Sequence, residues 1–323
     1  MPKVMFVIHN PTAGRRNAGK LWAVLDCLMD HGVSVRVLET RSGGHATELA
    51  RYASRSGADV IVAAGGDGTI AETVAGMTGS AARLGIIPLG TANVLAHEFG
   101  LPSDSKALAV ALTSAESVTL WPGLIQGADR MRLFVQMVGV GFDAHVVDHI
   151  DPGVKRCLGR GAYVLQTLRE LSRYSFPSLR VSVDGMDYHA AGVIVSKGRF
   201  YGGPYLVAPD ALPVEPGFSV LLFENGGAFS ALRAGLLLPC GKMTHLPGLR
   251  SLRASCVEIT APEGLPVQAD GDSVETLPVS IRDAPEPVRL VVGTGSDIPA
   301  AFTLSPLPAE HARYQESGKI PGP

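Results

Sequence analysis

The sequence predicts an α/β fold with two parts: an N-terminal half on a parallel sheet and a C-terminal half of antiparallel strands. Over residues 3–88, short apolar runs of strand length alternate with segments of helical spacing, as strand–helix units covered on both faces do. Beyond about residue 120 the helical spacing nearly disappears and seven strand-like segments follow. The chain has 323 residues, 46% apolar and 18% charged, which suits two domains with separate cores.

Taken in order, residues 3–9 form a compact apolar run closed by Asn10-Pro11, a buried strand. Residues 18–30 set Leu21, Leu25 and Leu28 on one helical face. Residues 33–38 alternate Val33, Val35 and Val37 with Ser34 and Arg36, a strand with two unlike faces. Helices are expected again at 46–56 and 70–77, and strands at 59–64 and 84–88. In the second half, 131–142, 179–184, 191–196, 218–224, 255–261, 274–282 and 288–292 read as strands. Helices are expected there only at 162–174 and 229–238. After Gly293 the chain is rich in Pro, Ala and Ser without periodicity, as a tail would be. The implied division is 1–119, 120–293 and a tail over 294–323.

Composition narrows the function. A formal net charge of −2 argues against a nucleic-acid protein. Cys27, Cys157, Cys240 and Cys256 are scattered without CxxC spacing, which suits thiols in a reducing cytoplasm. No apolar run approaches the ~18 residues of a spanning helix, so membrane contact is expected to be peripheral. The histidines show no metal-ligand spacing, and Trp22 and Trp121 read as packing residues.

The chemistry is expected in three loops. Gly65-Gly66-Asp67-Gly68-Thr69 follows one strand and precedes a helix. Glycines there let backbone approach a phosphate, and a helix N-terminus offers free N–H groups. Asp67, a lone carboxylate in that turn, suits Mg²⁺ or water beside the phosphates; the plainer alternative is a helix cap. Asn10-Pro11-Thr12-Ala13-Gly14 and Leu89-Gly90-Thr91-Ala92-Asn93 follow two other strands, which brings all three loops to one sheet edge. Each companion alone could be a simple turn. The GxxxxGK[ST] phosphate loop is absent.

These loops resemble the nucleotide-binding motifs of the diacylglycerol kinase catalytic-domain family, especially its soluble bacterial lipid kinases, which include relatives of sphingosine kinase. The resemblance continues through Gly139-Val140-Gly141-Phe142-Asp143 and Tyr201-Gly202-Gly203 to Asp270-Gly271-Asp272, and so covers residues 3–293. It implies a nucleotide-binding domain and a β-sandwich, with ATP and lipid meeting between them. It further implies ATP contacts from Asn10, Pro11, Thr12, Ala13, Gly14, Thr40, Gly65, Gly66, Asp67, Gly68, Thr69, Gly90, Thr91 and Asn93. Asp270 would be the base that takes the proton of a lipid hydroxyl, with Asp272 able to exchange roles with it and Asp67 serving Mg²⁺. The plainer reading of Asp270-Gly271 is a hairpin turn.

A structural Mg²⁺ site would map to Leu212, Glu215 and Gly217, although Asp is usual at position 215 and Pro216 alters the loop. NAD kinases share GGDGT, but 89–93 and the Asp270 turn count against them; a silent regulator on the same fold is the other alternative. Lys155, Arg156, Arg160, Arg169, Arg173 and Arg180, with Val164, Leu168 and Leu171 on one helical face, suit either an anionic membrane surface or an ordinary solvated helix. Neither the particular lipid nor the oligomeric state is legible.

Overall fold

The structure, a computed structural model, describes residues 4–13, 18–128, 130–150 and 166–293. In the N-terminal half β1 (Val4–His9), α1 (Ala18–Asp30), β2 (Ser34–Glu39), α2 (His45–Arg55), β3 (Val60–Gly65), α3 (Asp67–Gly76) and β4 (Arg83–Pro88) follow one another as expected. Strands β2, β1, β3 and β4 lie side by side in that order, all parallel. Alternate residues of the central strands feed two cores. Phe6, Ile8, Ile61 and Ala63 pack towards one, with Ala46, Ala50, Ile70 and Val74 of α2 and α3. Met5, Val7, Val60 and Val62 pack towards the other, with Leu21, Leu25 and Leu28 of α1. Burial on both faces is why these strands read as unbroken apolar runs.

Two helices went unread between 88 and 120: α4 (Val94–Glu98) and α5 (Ser105–Thr113). The first is too short to show a period. The second carries a legible cap, because the Asp104 carboxylate accepts Lys106 N–H at 3.0 Å and Ala107 N–H at 2.9 Å.

The C-terminal half is a sandwich of two six-stranded antiparallel sheets. One holds Leu179–Val183, Cys256–Ala261 and Val279–Asp283 at its centre; the other holds Phe218–Phe223, Gly192–Ser196 and Met137–Gly141. Val181, Val257 and Ile281 of the first face Val138, Val193 and Val220 of the second across a shared core.

Three strand readings need correction. Residues 131–142 are not one strand: Met131–Phe134 and Met137–Gly141 lie in different sheets, and Phe142–Asp148 is a helix. Residues 274–282 likewise divide into Asp272–Thr276 and Val279–Asp283, one in each sheet. In both places the chain crosses from one sheet to the other at a sandwich corner. The strand at Val288–Val291 belongs to the N-terminal sheet, parallel to β4 and antiparallel to Ser117–Leu120. Its return covers the edge that β4 would otherwise leave unpaired.

Other expectations divide. Trp121 is buried, with its indole N–H donating to Ala284 O at 3.2 Å, whereas Trp22 is 57% exposed and is not a core residue. It lies on α1 away from the buried Leu21–Leu28 face. Cys27, Cys240 and Cys256 are free thiols. Arg180 is in the strand Leu179–Val183 and pairs with Asp187 at 2.7 Å, so it is not part of a basic helix. Gly14, Lys155, Arg156, Cys157, Arg160, Val164 and the tail lie outside the described residues. Among the described residues no helix is long and apolar enough to cross a membrane.

Candidate active site

The ends of β1, β3 and β4 bring the three loops together. Asn10 ties the first to the second: its side-chain amide donates to Thr69 Oγ1 at 3.1 Å, and its Oδ1 accepts Thr12 N–H at 3.0 Å and the Thr12 hydroxyl at 2.8 Å. Pro11 is exposed in the same turn, which Ala13 N–H closes onto Asn10 O at 3.0 Å. Thr40 follows β2 and donates its N–H to His9 O at 2.9 Å.

The helix after β3 starts earlier than its periodicity suggested. Gly66 is its extended N-cap and Asp67 its first residue, not residue 70. Asp67, Gly68 and Thr69 therefore form the first turn, whose N–H groups have no partner within the helix. Glycine is needed on the β4 side of the adjoining gap: a Cβ on Gly90 would lie 2.6 Å from Gly66 Cα. Leu89 and Gly90 donate to Gly65 O at 3.0 and 3.3 Å. Asn93 has a positive φ of 49° and donates from its side chain to Gly90 O at 2.9 Å. Asp67 turns out to be a cap, though of another helix: its Oδ1 accepts Leu95 N–H of α4 at 3.2 Å. Burial pushes the Asp67 carboxyl upward, against the pull of those backbone N–H groups.

From the sandwich comes Asp270-Gly271, a two-residue hairpin turn between Pro266–Ala269 and Asp272–Thr276, with φ of 49° and 85°. Both residues need the left-handed region here, which is why Asp-Gly suits the turn. The Asp270 carboxylate folds back onto the 135–137 corner. Oδ2 accepts Val135 N–H at 2.8 Å, and Oδ1 accepts Gln136 N–H at 2.8 Å and Met137 N–H at 3.0 Å. Burial outweighs these three donors and raises its pKa to about 7, with the nearby Asp67 charge adding to the rise. Asp272 reaches across the cleft, and its Oδ2 would lie 2.7 Å from a Cβ on Gly68. Glycine at 68 thus lets the sandwich turn approach the α3 N-terminus.

Sequence reasoning missed the group behind this turn. Gln268 accepts Gly271 N–H at 3.0 Å and donates to Asp143 Oδ2 at 2.9 Å, while Asp143 Oδ1 accepts the Tyr201 hydroxyl. Burial raises the Asp143 carboxyl against both hydrogen bonds. Asp143 and Tyr201 stand in motifs already singled out, which was the available signal. A second missed contact joins the domains. Glu98 of α4 is buried and accepts Arg199 Nε at 2.7 Å and Arg199 N–H at 2.8 Å.

Most of these residues, though not Pro11, Gly65, Gly90, Asn93, Glu98 or Arg199, border one cavity of about 1030 Å³. Asn10, Thr12, Ala13, Thr40, Gly66 to Thr69, and Thr91 line its polar end, Asp270 and Asp272 its middle. Phe142, Val146, Leu171, Phe176, Ile194 and Phe223 line an apolar arm.

The residues expected to hold a structural Mg²⁺ do not fit one. Leu212 O accepts Glu215 N–H at 3.2 Å. The Glu215 side chain turns to Arg253, 3.7 Å away. Gly217 O accepts the Lys197 ammonium at 3.0 Å, and a positive side chain at that point excludes a divalent ion. Among the described residues no group of three His, Cys, Asp or Glu side chains could hold a metal.

A diacylglycerol kinase catalytic domain model matches residues 4–121, and a YegS C-terminal NAD kinase beta sandwich-like domain model matches residues 136–292. A protein named diacylglycerol kinase from Mycobacterium tuberculosis (strain CDC 1551 / Oshkosh) is 28% identical over 299 residues, covering 86% of this chain and 96% of its own. A Pseudomonas aeruginosa protein (strain UCBPP-PA14) named probable lipid kinase YegS-like is 29% identical over 302 residues, covering 92% and 96%. The solved structure of a diacylglycerol kinase from Bacillus anthracis str. Sterne aligns with a TM-score of 0.66 at 19% identity, covering 91% of this chain and 98% of that one. That last likeness is one of fold. The two domain models follow each other in the order of the two halves, and the chain belongs to the diacylglycerol kinase catalytic-domain family of ATP-dependent lipid kinases.

Proposed function

We propose that the chain transfers the γ-phosphoryl group of ATP to the free hydroxyl of a lipid such as diacylglycerol, with Asp270 as the base. The observation that carries this reading is the continuity of the cavity: a polar end at the α3 N-terminus runs past Asp270 and Asp272 into an apolar arm. Phosphates suit the polar end, where the first-turn N–H groups of α3 and close-packed glycines favour anions. Acyl chains suit the other. Mg²⁺ brought by ATP would neutralise phosphate charge, and Asp272 with Asp67 is the carboxylate pair that would face it. In the transfer, the lipid oxygen bonds to the γ-phosphorus as the bond to the β-phosphate oxygen breaks, and ADP departs. Asp270 takes the hydroxyl proton, a role worth ~10²–10⁴-fold in rate. The rest is positioning, as phosphoryl transfer requires.

The test is transfer of labelled γ-phosphate from ATP, with Mg²⁺, to a panel of hydroxyl lipids in mixed micelles, with NAD as the competing acceptor. Labelled lipid and unlabelled NAD are expected. Phosphorylated NAD with inert lipids would move the reading to a NAD kinase.

A further inference from the structure

Lys197 follows the strand Gly192–Ser196 and is fully buried. Its ammonium donates to Glu215 O at 3.2 Å, Gly217 O at 3.0 Å and Asp283 Oδ1 at 2.5 Å, and lies 4.7 Å from the Phe218 ring centre. The other Asp283 oxygen accepts Gly217 N–H at 2.7 Å. Three donors thus meet three oxygens over an aromatic face, which satisfies an ammonium completely.

Two main-chain carbonyls and a carboxylate are also the donor set of a hard metal ion. Both carbonyls belong to the 212–217 loop, where the family resemblance implies a structural Mg²⁺. The carboxylate comes from Asp283 at the end of Val279–Asp283, not from Glu215. On its outer side the loop is held by Arg253, which donates to Pro216 O at 2.8 Å. We propose that the Lys197 ammonium is the resident cation of this loop and replaces a structural divalent metal, so that the fold of this kinase needs no bound metal there.

The proposal concerns the fold without nucleotide, so its test stands apart from the lipid-kinase reading. The melting temperature of the nucleotide-free full chain is measured in EDTA and in millimolar Mg²⁺ or Mn²⁺, with Mn²⁺ binding followed by electron paramagnetic resonance. The wild type is expected to melt alike in all three conditions and to show no tight Mn²⁺ site. Lys197→Met, which keeps the length but not the charge, should melt roughly 5 °C lower or more, because it leaves the Asp283 charge without its counter-ion and two carbonyls without their donor. A wild-type melting temperature that rises with metal, persists in Asp272→Asn and vanishes in Asp283→Asn would overturn the proposal. So would a Lys197→Met protein as stable as the wild type. Should Lys197→Met fail to fold, the wild-type comparison decides alone.

Discussion

Asp270 accepts three backbone N–H groups while its own backbone holds the left-handed conformation of a hairpin turn. The turn and the proposed base are therefore one feature, because the same positive φ that suits Asp-Gly aims the carboxylate at the 135–137 corner. Asp270→Asn should lower kcat by roughly 10²-fold or more and leave the KM for ATP nearly unchanged. Asp272→Asn is the comparison: an inactive Asp272→Asn with an active Asp270→Asn would transfer the role. With a pKa raised to about 7, the carboxylate form grows as pH rises, so kcat/KM should climb through about pH 7. The linkage runs the other way for stability. The folded protein holds this proton more tightly than the unfolded chain, so the contribution is present in acid and is lost as pH rises through about 7. Thermal melts of wild type and Asp270→Asn across that range would show it.

At the level of elements, the polar end of the cavity depends on two loops in backbone contact. A Cβ on Gly90 would meet Gly66 Cα at 2.6 Å, and no side chain can move aside to relieve it. Gly90→Ala should force apart the β3–α3 and β4–α4 connections. An increase in the KM for ATP of roughly 10-fold or more is expected, read from initial rates at saturating lipid; an unchanged KM would detach these loops from nucleotide binding. Asp67 links the same two connections by capping α4. Its neighbours in sequence suggested a phosphate turn, and nothing local indicated that Leu95, 28 positions away, would take its oxygen.

For the whole molecule, the helix Ala228–Leu237 lines the cavity through Ala231, Leu232 and Leu236, and on it Phe229 is 78% and Leu236 66% exposed. Apolar side chains left in water around a lipid-sized cavity suit contact with a bilayer. Phe229 does not line the cavity, so Phe229→Asp separates surface docking from catalysis. Phosphorylation of lipid in anionic vesicles should fall roughly 10-fold or more, the effect of losing one large side chain that a bilayer would bury. Phosphorylation of dispersed short-chain lipid should stay near the wild-type rate; equal loss in both assays would argue against docking by this helix.

Much of the architecture was legible because it rests on local rules. Apolar period identified β1 to β4 and their helices, and Gly-rich turns after strands marked the sheet edge. Asp270-Gly271 showed itself by turn chemistry. Local pattern thus places the strands, helices and turns of the first 88 residues, but not α4, α5 or the breaks inside 131–142 and 274–282. The tertiary structure decided which distant groups those segments meet: Val288–Val291 with β4, Asp270 with residues 133 to 135 positions away, and Lys197 with Asp283, 86 positions on. Residues 131–142 carry an apolar pattern that fits one strand as well as two, and only closing the sandwich divides them. Lys197 looks like any basic residue until packing removes its water, and its meaning then comes from the oxygens left to replace that water.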